Sequence, residues 1–188
     1  KALTIDGTLI AQGTSNDGIT FTSSSASPAA GDWKYINFTS DSSPATFDGN
    51  GDYSAGSILQ YCTVEYAGSG TPSGSAMNLG GVSPFIDNCI IRHHADGAIE
   101  GSFLAGVTVK ITNNTIEDSG RGPYGGTLLR FISAGTYSLL FDGNAHDGLQ
   151  VDVNAPSVTG TISNNTGGGI AVIPKSTGVV DLTISSNT

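Results

Sequence analysis

Charged side chains are scarce in this sequence, since Asp, Glu, Lys and Arg together make up only 12% of its 188 residues. A helix that packs on a core carries many charged residues on its solvent face, so this shortage argues against a helical protein. Apolar residues still account for 37% of the chain and are grouped in short runs, which argues against disorder. No run approaches the roughly 20 residues that cross a bilayer as a helix, so we expect no membrane insertion.

Basic residues are the scarcest of the charged ones. Lys and Arg number 7 against 16 Asp and Glu, which gives a formal net charge of −9. A negative field of this size repels the phosphate groups of nucleic acids and of anionic membrane surfaces. We therefore expect neither nucleic acid nor a membrane as a partner.

Cysteine is limited to Cys62 and Cys89, which are too few for the disulfide framework of a small secreted domain. Glycine is abundant, with 27 residues, and lies with Ser, Thr, Asn and Asp between the apolar segments. Many short apolar segments separated by such turn residues are typical of an all-β chain.

A recurring phrase is the most informative feature that the sequence does have. The segment ILQYCTVEYAG at 58–68 aligns without gaps with FIDNCIIRHHA at 85–95, and the alignment places Cys62 on Cys89. Shorter copies follow at 111–116, 141–145, 162–166 and 184–188. The copies recur at intervals of roughly 21 to 30 residues, which is in the range of solenoid repeats.

Apolar residues alternate within a copy, as at Val107, Val109 and Ile111, and this predicts strands rather than helices. The strands of successive copies must stack, because one coil alone leaves its apolar side chains uncovered. We therefore predict an all-β, single-stranded, right-handed parallel β-helix of about seven to eight coils. In this interpretation residues 1–188 form one domain, with irregular coils at 1–56 and regular coils at 57–188.

Nothing that resembles a capping element follows the last copy, which ends at Asn187 and Thr188. The uncovered end of a β-helix presents unpaired backbone groups above an apolar core. We therefore expect that further coils, another domain or a second copy of the chain covers this end, the last by self-association through the coil ends.

Stacking also predicts which residues meet between coils. Ile90 is expected near Ile116, and Cys62 and Cys89 are expected to occupy equivalent inward positions. At the distance between neighbouring strands the two cysteines form either a disulfide or a pair of buried thiols. A ladder of asparagines is expected at the turns, because Asn tolerates the left-handed conformation and bonds to its neighbours above and below. Its predicted members are Asn88, Asn114, Asn144, Asn165 and Asn187.

Three opening segments, GTLIAQGT at 7–14, ITFT at 19–22 and GDWKYINF at 31–38, precede the two cysteine phrases. In this order they resemble the right-handed parallel β-helix repeat proteins of the pectate-lyase-like superfamily, in particular the secreted or cell-surface bacterial members. The resemblance implies an extracellular or cell-surface location. It leaves the activity open, because the group includes polysaccharide lyases, hydrolases and adhesins.

If the chain is an enzyme, the polar segments that follow its strands hold the candidate catalytic residues. In the predicted register these side chains emerge from one corner of the solenoid, where they would bind a sugar acid or a metal or supply a general base. A solvated turn is the alternative interpretation. The candidates are His94, Asp96, Asp118, Arg121, His146 and Asp147.

Lyases of the resembling group hold Ca²⁺ with a cluster of acidic residues and use a Lys or Arg base, which implies Arg92, Arg121 or Arg130 for that role. Hydrolases of the group use paired Asp residues. The sequence departs from both patterns, since it has no tight acidic cluster on consecutive coils and no Asp-Asp pair.

A weak calcium-binding pattern lies in the second loop of the chain. Asp48, Asn50 and Asp52 have the alternate spacing of the first ligands in a calcium loop. The second half of the pattern fails, because Tyr53 stands where the loop needs Gly and Leu59 where it needs Glu. The segment is either a Ca²⁺ site completed by other residues or a Gly-rich turn.

Aromatic rings on a flat sheet are platforms on which sugars stack, although a buried Tyr with a satisfied hydroxyl is the commoner case. The candidate carbohydrate-binding residues are Trp33, Tyr35, Tyr66 and Tyr124.

Three functions are compatible with these observations. The low charge and the Ser, Thr and Asn-rich surfaces favour a non-catalytic extracellular module that binds a polysaccharide or cell-surface glycan, or adheres to a surface. The first alternative is a polysaccharide lyase or hydrolase, or a fragment of one. The second is a structural subunit of an extracellular filament, assembled by end-to-end stacking.

Overall fold

The chain folds into three parallel sheets that run along a solenoid, in a computed structural model that describes residues 1–70, 74–104, 106–117 and 126–188. Sheet A contains β1 (Leu3–Ile5), β4 (Ile36–Phe38), β9 (Met77–Gly80), β12 (Ile99–Phe103), β15 (Thr127–Phe131), β18 (Leu149–Val153) and β21 (Ile170–Pro174). Sheet B contains β2 (Ile10–Gln12), β7 (Ile58–Gln60), β10 (Phe85–Asp87), β13 (Thr108–Thr112), β16 (Thr136–Asp142), β19 (Ser157–Ser163) and β22 (Val179–Ser185). Sheet C contains β3 (Ile19–Phe21), β8 (Cys62–Glu65), β11 (Ile90–Arg92), β14 (Thr115–Ile116), β17 (Ala145–His146) and β20 (Thr166–Gly167).

The chain visits sheets A, B and C in turn, so each circuit is one coil of a parallel β-helix, as the repeat predicts. Within the described residues, six coils have a strand in all three sheets and a seventh level has strands in sheets A and B. The prediction of seven to eight coils is therefore slightly too high. An antiparallel hairpin, β5 (Thr46–Phe47) and β6 (Tyr53–Ala55), lies outside the three sheets.

The first coils are longer than the later ones. Ile36 pairs with Leu3 across 33 residues, and Met77 pairs with Ile36 across 41. In contrast, Ile170 pairs with Leu149 across only 21 residues. The extra length in the first coils forms the loop between β3 and β4 and the hairpin between β4 and β7.

The core is made of inward-facing columns in which equivalent residues stack from coil to coil. One such column in sheet B contains Ile86, Ile111, Phe141 and Ile162, all fully buried. A large apolar side chain at each level removes apolar surface from water at roughly 25 cal/mol per Å². The solenoid is held together mainly by this stacking.

The predicted neighbours in sheet C are displaced by one residue. Ile90 pairs with Thr115 and is 38% exposed, whereas Ile91 pairs with Ile116 and is fully buried. Because side chains alternate between the two faces of a strand, Ile91 and not Ile90 belongs to the core column.

The asparagine ladder is present, but Asn88 is not a member. The Oδ1 of each ladder asparagine accepts the backbone N–H of the equivalent residue one coil earlier in the chain. Asn144 accepts from Asn114 at 3.0 Å, and Asn165 accepts from Asn144 at 2.9 Å. Each Nδ2 donates to a carbonyl of the preceding coil, as from Asn144 to Ile111 at 2.9 Å. The observed rungs are Asn114, Asn144, Asn165 and Asn187.

Asn88 instead holds the left-handed turn position one residue earlier, with φ of 51°. Its equivalents in other coils have similar values, among them Asn113 at 56° and Asn164 at 55°. Asn is one of the few side chains that tolerate this conformation. The doublets Asn113-Asn114 and Asn164-Asn165 therefore divide two tasks between adjacent residues, the turn and the ladder.

Cys62 and Cys89 lie in the same column as the ladder asparagines, two coils and one coil before Asn114. Both are free thiols, and both are buried, which confirms their predicted inward positions. The Cys89 Sγ donates to the carbonyl of Leu59 at 3.4 Å, as Asn114 Nδ2 donates to the paired Ile86 carbonyl at 3.1 Å. In the coils of Cys62 and Cys89 a thiol thus takes the donor role that an asparagine amide takes in the later coils.

Candidate functional site

The two histidines of the predicted catalytic corner are buried rather than exposed. His146 follows Ile91 and Ile116 in the inward column of sheet C and is 4% exposed. It packs edge-on against the Phe141 ring at 5.4 Å, and its Nδ1 has no hydrogen-bond partner within the described residues. His94 is 2% exposed. The expectation that both imidazoles emerge at a surface corner is wrong for this reason.

Burial also determines the protonation of His146. Loss of hydration lowers the pKa of its imidazole, and the nearby Asp147 carboxylate only partly opposes this effect. His146 is therefore a neutral core side chain rather than an exposed acid or base.

Of the other four candidate catalytic residues, the structure describes two. Asp96 and Asp147 are partly exposed in the turns that lead into sheet A. Asp118 and Arg121 lie outside the described residues. Over the ranges that the structure describes, no three His, Cys, Asp or Glu side chains are grouped as metal ligands.

The predicted calcium segment is the turn of the β5–β6 hairpin. Asp48 Oδ1 accepts the backbone N–H groups of Asn50 and Asp52, each at 2.9 Å, which is how an aspartate stabilises a tight turn. The cation near this turn is Lys110, whose Nζ donates to the Gly51 carbonyl at 2.5 Å and lies 4.1 Å from the Phe47 ring centroid. This geometry fits the Gly-rich turn, since the Asp48 oxygen already serves the backbone and a positive charge is adjacent.

Two of the predicted carbohydrate-binding aromatics lie together where sheet C turns towards sheet A. The indole Nε1 of Trp33 donates to the Glu65 carbonyl at 2.8 Å, and Tyr66 follows directly. The Tyr66 ring stacks on the His93 ring of the next coil, with centroids 5.3 Å apart and planes 22° from parallel. We call Trp33, Tyr66 and His93 the aromatic corner. All three are partly exposed.

The backbone at the aromatic corner is strained. Tyr66 and His93 have φ of 62° and 54°, in the left-handed region that bulky side chains rarely adopt. Such a conformation costs of order 1 kcal/mol or more and is concentrated at functional sites. In both residues it holds an aromatic ring at the rim of the solenoid.

Polar groups border the aromatic corner. Arg92 forms an ion pair with Glu65 at 3.0 Å, and Thr22 donates to the other Glu65 oxygen at 2.9 Å. A groove of about 400 Å³ adjoins them, with Thr22, Ser23, Asp32 and Trp33 among its lining residues. Asp32 accepts from Ser23 at 2.6 Å and from the Ala29 N–H at 3.1 Å, and these bonds lower the pKa of its carboxyl.

Of the other two aromatic candidates, the structure describes one. Tyr35 lies two residues after Trp33 and is partly exposed, just before β4. Tyr124 lies outside the described residues. His93, which was not among the predicted site residues, is a member of the corner, and the alignment of 58–68 with 85–95, which places Tyr66 on His93, was the signal for it.

A second polar feature crosses the outer face of sheet A. Arg130 forms an ion pair with Glu100 on the preceding strand, and Lys175 pairs with Asp152 at 2.6 Å. Asp152 is 5% exposed. Burial alone would raise its pKa, but the bonds from Lys175 and Gln150 and the charges of Lys175 and Arg130 outweigh it, so the pKa of Asp152 is lowered. We call Glu100, Arg130, Asp152 and Lys175 the charged row.

The sequence analysis did not predict that the residues of the charged row lie together. Alternation in TLLRF at 127–131 and LQVDV at 149–153 points Arg130 and Asp152 outwards, and this period was the available signal. A small cavity of about 200 Å³ lies beside Arg130, Asp152 and Lys175.

Comparison with protein-family models, with curated proteins and with solved structures finds no match to this chain. The class of the protein therefore rests on its fold, which is a parallel β-helix with three sheets. Within the described residues, no helix is long and apolar enough to span a membrane.

Proposed function

We propose that the protein is a non-catalytic, extracellular β-helix module that binds a polysaccharide or cell-surface glycan at the aromatic corner. The observation that carries the proposal is the stacked pair of the Tyr66 and His93 rings beside the Trp33 indole. Tyr66 and His93 both have a left-handed backbone conformation. A membership in the pectate-lyase-like superfamily, of the secreted or cell-surface bacterial type, is part of the same proposal.

The chemistry of the corner suits a sugar ring. The C–H face of a sugar packs on aromatic rings, whose large flat surfaces are rigid and partly polar. Hydroxyl groups at the edge of the same sugar need paired donors and acceptors, which Thr22, Ser23 and Asp32 offer in the adjoining groove. A net charge of −9 favours neutral sugars over polyanions, because it repels the latter.

Affinity measurement with matched variants tests the proposal. Wild-type protein is screened on a glycan array, and the strongest neutral glycan is titrated by calorimetry. Tyr66→Asn and His93→Asn remove one ring each while keeping a side chain that tolerates the left-handed backbone. We expect each to weaken binding about tenfold, equivalent to about 1.4 kcal/mol.

Tyr61→Asn is the matched control, because Tyr61 also has a positive φ, of 51°, but lies at the other end of β8. It is expected to leave affinity unchanged. Equal losses in all three variants, or no binding of any arrayed glycan, would contradict the proposal.

A second candidate function is polysaccharide cleavage, and the charged row favours it. Asp152, whose bonds outweigh burial, lower its pKa and keep it ionised, borders a cavity together with Arg130, so a substrate there would meet a fixed carboxylate and a candidate Arg base. Reducing-end release and ultraviolet detection of unsaturated products on a polysaccharide panel test it. Activity abolished by Asp152→Asn would replace the first proposal with this one.

A further inference from the structure

Cys62 and Cys89 are aligned across two neighbouring coils. β8 and β11 pair with Thr63 opposite Ile90 and Val64 opposite Ile91, so Cys62 lies opposite Cys89. Neighbouring strands are about 4.8 Å apart, and a disulfide joins Cα atoms that are about 4.4 to 6.8 Å apart. The strand spacing therefore already matches a cross-link.

Both thiols face inwards and lean in the same direction. Cys62 Sγ donates to Ala11 O at 3.3 Å, and Cys89 Sγ donates to Leu59 O at 3.4 Å. Each carbonyl belongs to the preceding coil, and for Cys89 that is the coil of Cys62. The Cys89 sulfur thus lies towards the level of Cys62, and the Cys62 sulfur lies towards the first coil, so closure of a disulfide requires the Cys62 side chain to rotate. Both side chains are within 2% of full burial.

We propose that Cys62 and Cys89 are a redox-active pair that closes to a disulfide between the second and third coils. As the chain folds, and before the coils bury both sulfurs, the Cys62 thiolate attacks one sulfur of a low-molecular-weight disulfide such as oxidised glutathione and releases one glutathione thiolate. Cys89 then attacks the Cys62 sulfur, forms the protein disulfide and releases the second glutathione. The protein loses two protons and two electrons, and the oxidant is reduced to two thiols.

The interaction between the two sulfurs shifts their pKa values in opposite directions. The interaction with Cys89 lowers the pKa of Cys62 more than burial raises it. The same interaction, together with burial, raises the pKa of Cys89.

The cross-link would fix the register of the aromatic corner. β8 leads into Tyr66 and β11 leads into His93, so a bond between Cys62 and Cys89 holds the two stacked rings in place. This consequence rests on the proposed glycan site, whereas the disulfide itself does not.

Refolding in a glutathione redox buffer tests the disulfide, because both thiols are accessible in the unfolded chain. We expect the intact mass to fall by two hydrogens, and digestion to yield a peptide with Cys62 joined to one with Cys89. The oxidised protein should melt at a higher temperature than the sample reduced with dithiothreitol. The double variant Cys62→Ala/Cys89→Ala is the control, and its melting temperature should not depend on the redox buffer.

Two free thiols at equilibrium, glutathione adducts on either cysteine, or disulfide-linked dimers would each overturn the proposal. Oxidation of the native protein with diamide provides a second route to the same mass change if refolding yields are low. A disulfide that forms without changing glycan affinity would contradict the consequence for the aromatic corner alone. Absence of glycan binding in both redox forms would contradict the proposed function and leave the disulfide intact.

Discussion

The first two coils and the last two coils solve the same stacking problem with different amounts of chain. The coil that begins at Leu149 returns to sheet A after 21 residues, whereas the coil that begins at Ile36 needs 41. The short coils use nearly all their residues for strands, turns and the amide ladder. The long coils place their additional residues outside the sheets, where they build the hairpin and the groove beside Trp33. The regular coils thus contribute mainly stability, and the additional residues of the long coils form an accessible surface.

The largest expected effect lies in the regular half. Asn144→Ala removes an acceptor from the Asn114 N–H and a donor from the Ile111 carbonyl, and both groups are buried. Because each orphaned group costs about 1–3 kcal/mol, we expect the free energy of unfolding to fall by about 3–5 kcal/mol.

Urea denaturation measures this change, with Asn164→Gly as the control. Asn164 is exposed and has a φ that glycine adopts readily, so its replacement should cost less than about 1 kcal/mol. Equal losses for the two variants would show that the ladder contributes no more than an ordinary turn residue.

The cysteine rungs allow the two halves to be compared at one position. Cys89→Asn would extend the amide ladder upwards by one rung, and we expect a change in stability within about 1 kcal/mol. Cys89→Asp has nearly the same shape but buries a charge that cannot donate to Leu59 O, so a loss of several kcal/mol is expected. If thermal melting places the Asn and Asp variants together, the thiol and the amide are not equivalent donors in this column.

The pH dependence of stability sharpens the comparison at His146. Burial lowers the pKa of His146 below the ordinary value of 6.5, so the unfolded chain binds this proton more tightly. Stability is therefore complete above pH 6.5 and falls as the pH drops from 6.5 towards the folded pKa. His146→Leu, which resembles Ile91 and Ile116 in the same column, should remove this part of the acid sensitivity.

Melting curves of wild type and His146→Leu between neutral and mildly acidic pH measure the difference. Asp87 titrates in a separate, lower window. Burial opposes its charge, but bonds from Thr112, Gln60 and two asparagines outweigh that and lower its pKa below 3.8. Its contribution is thus present above pH 3.8 and lost below it. Parallel pH profiles of the two proteins above pH 4 would contradict the assignment to His146.

The smallest expected effect lies in the irregular half, at the hairpin. Lys110→Met removes the bond to the Gly51 carbonyl and the contact with the Phe47 ring. Because the hairpin is attached to the outside of sheet B, we expect a loss of about 1 kcal/mol or less. Proteolysis should become faster within 46–55 while global melting changes little. A loss as large as that of Asn144→Ala would mean that the hairpin belongs to the cooperative core.

The same contrast determines what the sequence predicts. The aligned phrases give the parallel β-helix and the inward position of the cysteines, because a repeated environment selects similar residues at every level. The errors in the register are shifts of one residue, as with Asn88 in place of Cys89 as a rung. They arise because in Asn113-Asn114 the turn and the ladder both favour Asn, so composition alone does not separate the two positions.

The aromatic corner is less predictable for a physical reason. Tyr66 and His93 lie in aligned phrases, so their stacking follows from the register. Trp33 lies in a loop with no repeat, and its bond to the Glu65 carbonyl depends on the path of that loop. The burial of His146 was missed because histidine is usual in turns and rare in an inward column.

The most direct test of the central claim, that the aromatic corner at the boundary between the long and the short coils carries the function, is hydrogen exchange with and without the strongest neutral glycan. The account predicts slower exchange in segments 22–35 and 62–66 and around His93, with no change in β18 to β22. Protection confined to Lys175 and to the strands that carry Arg130 and Asp152 would contradict it and place the ligand on the charged row.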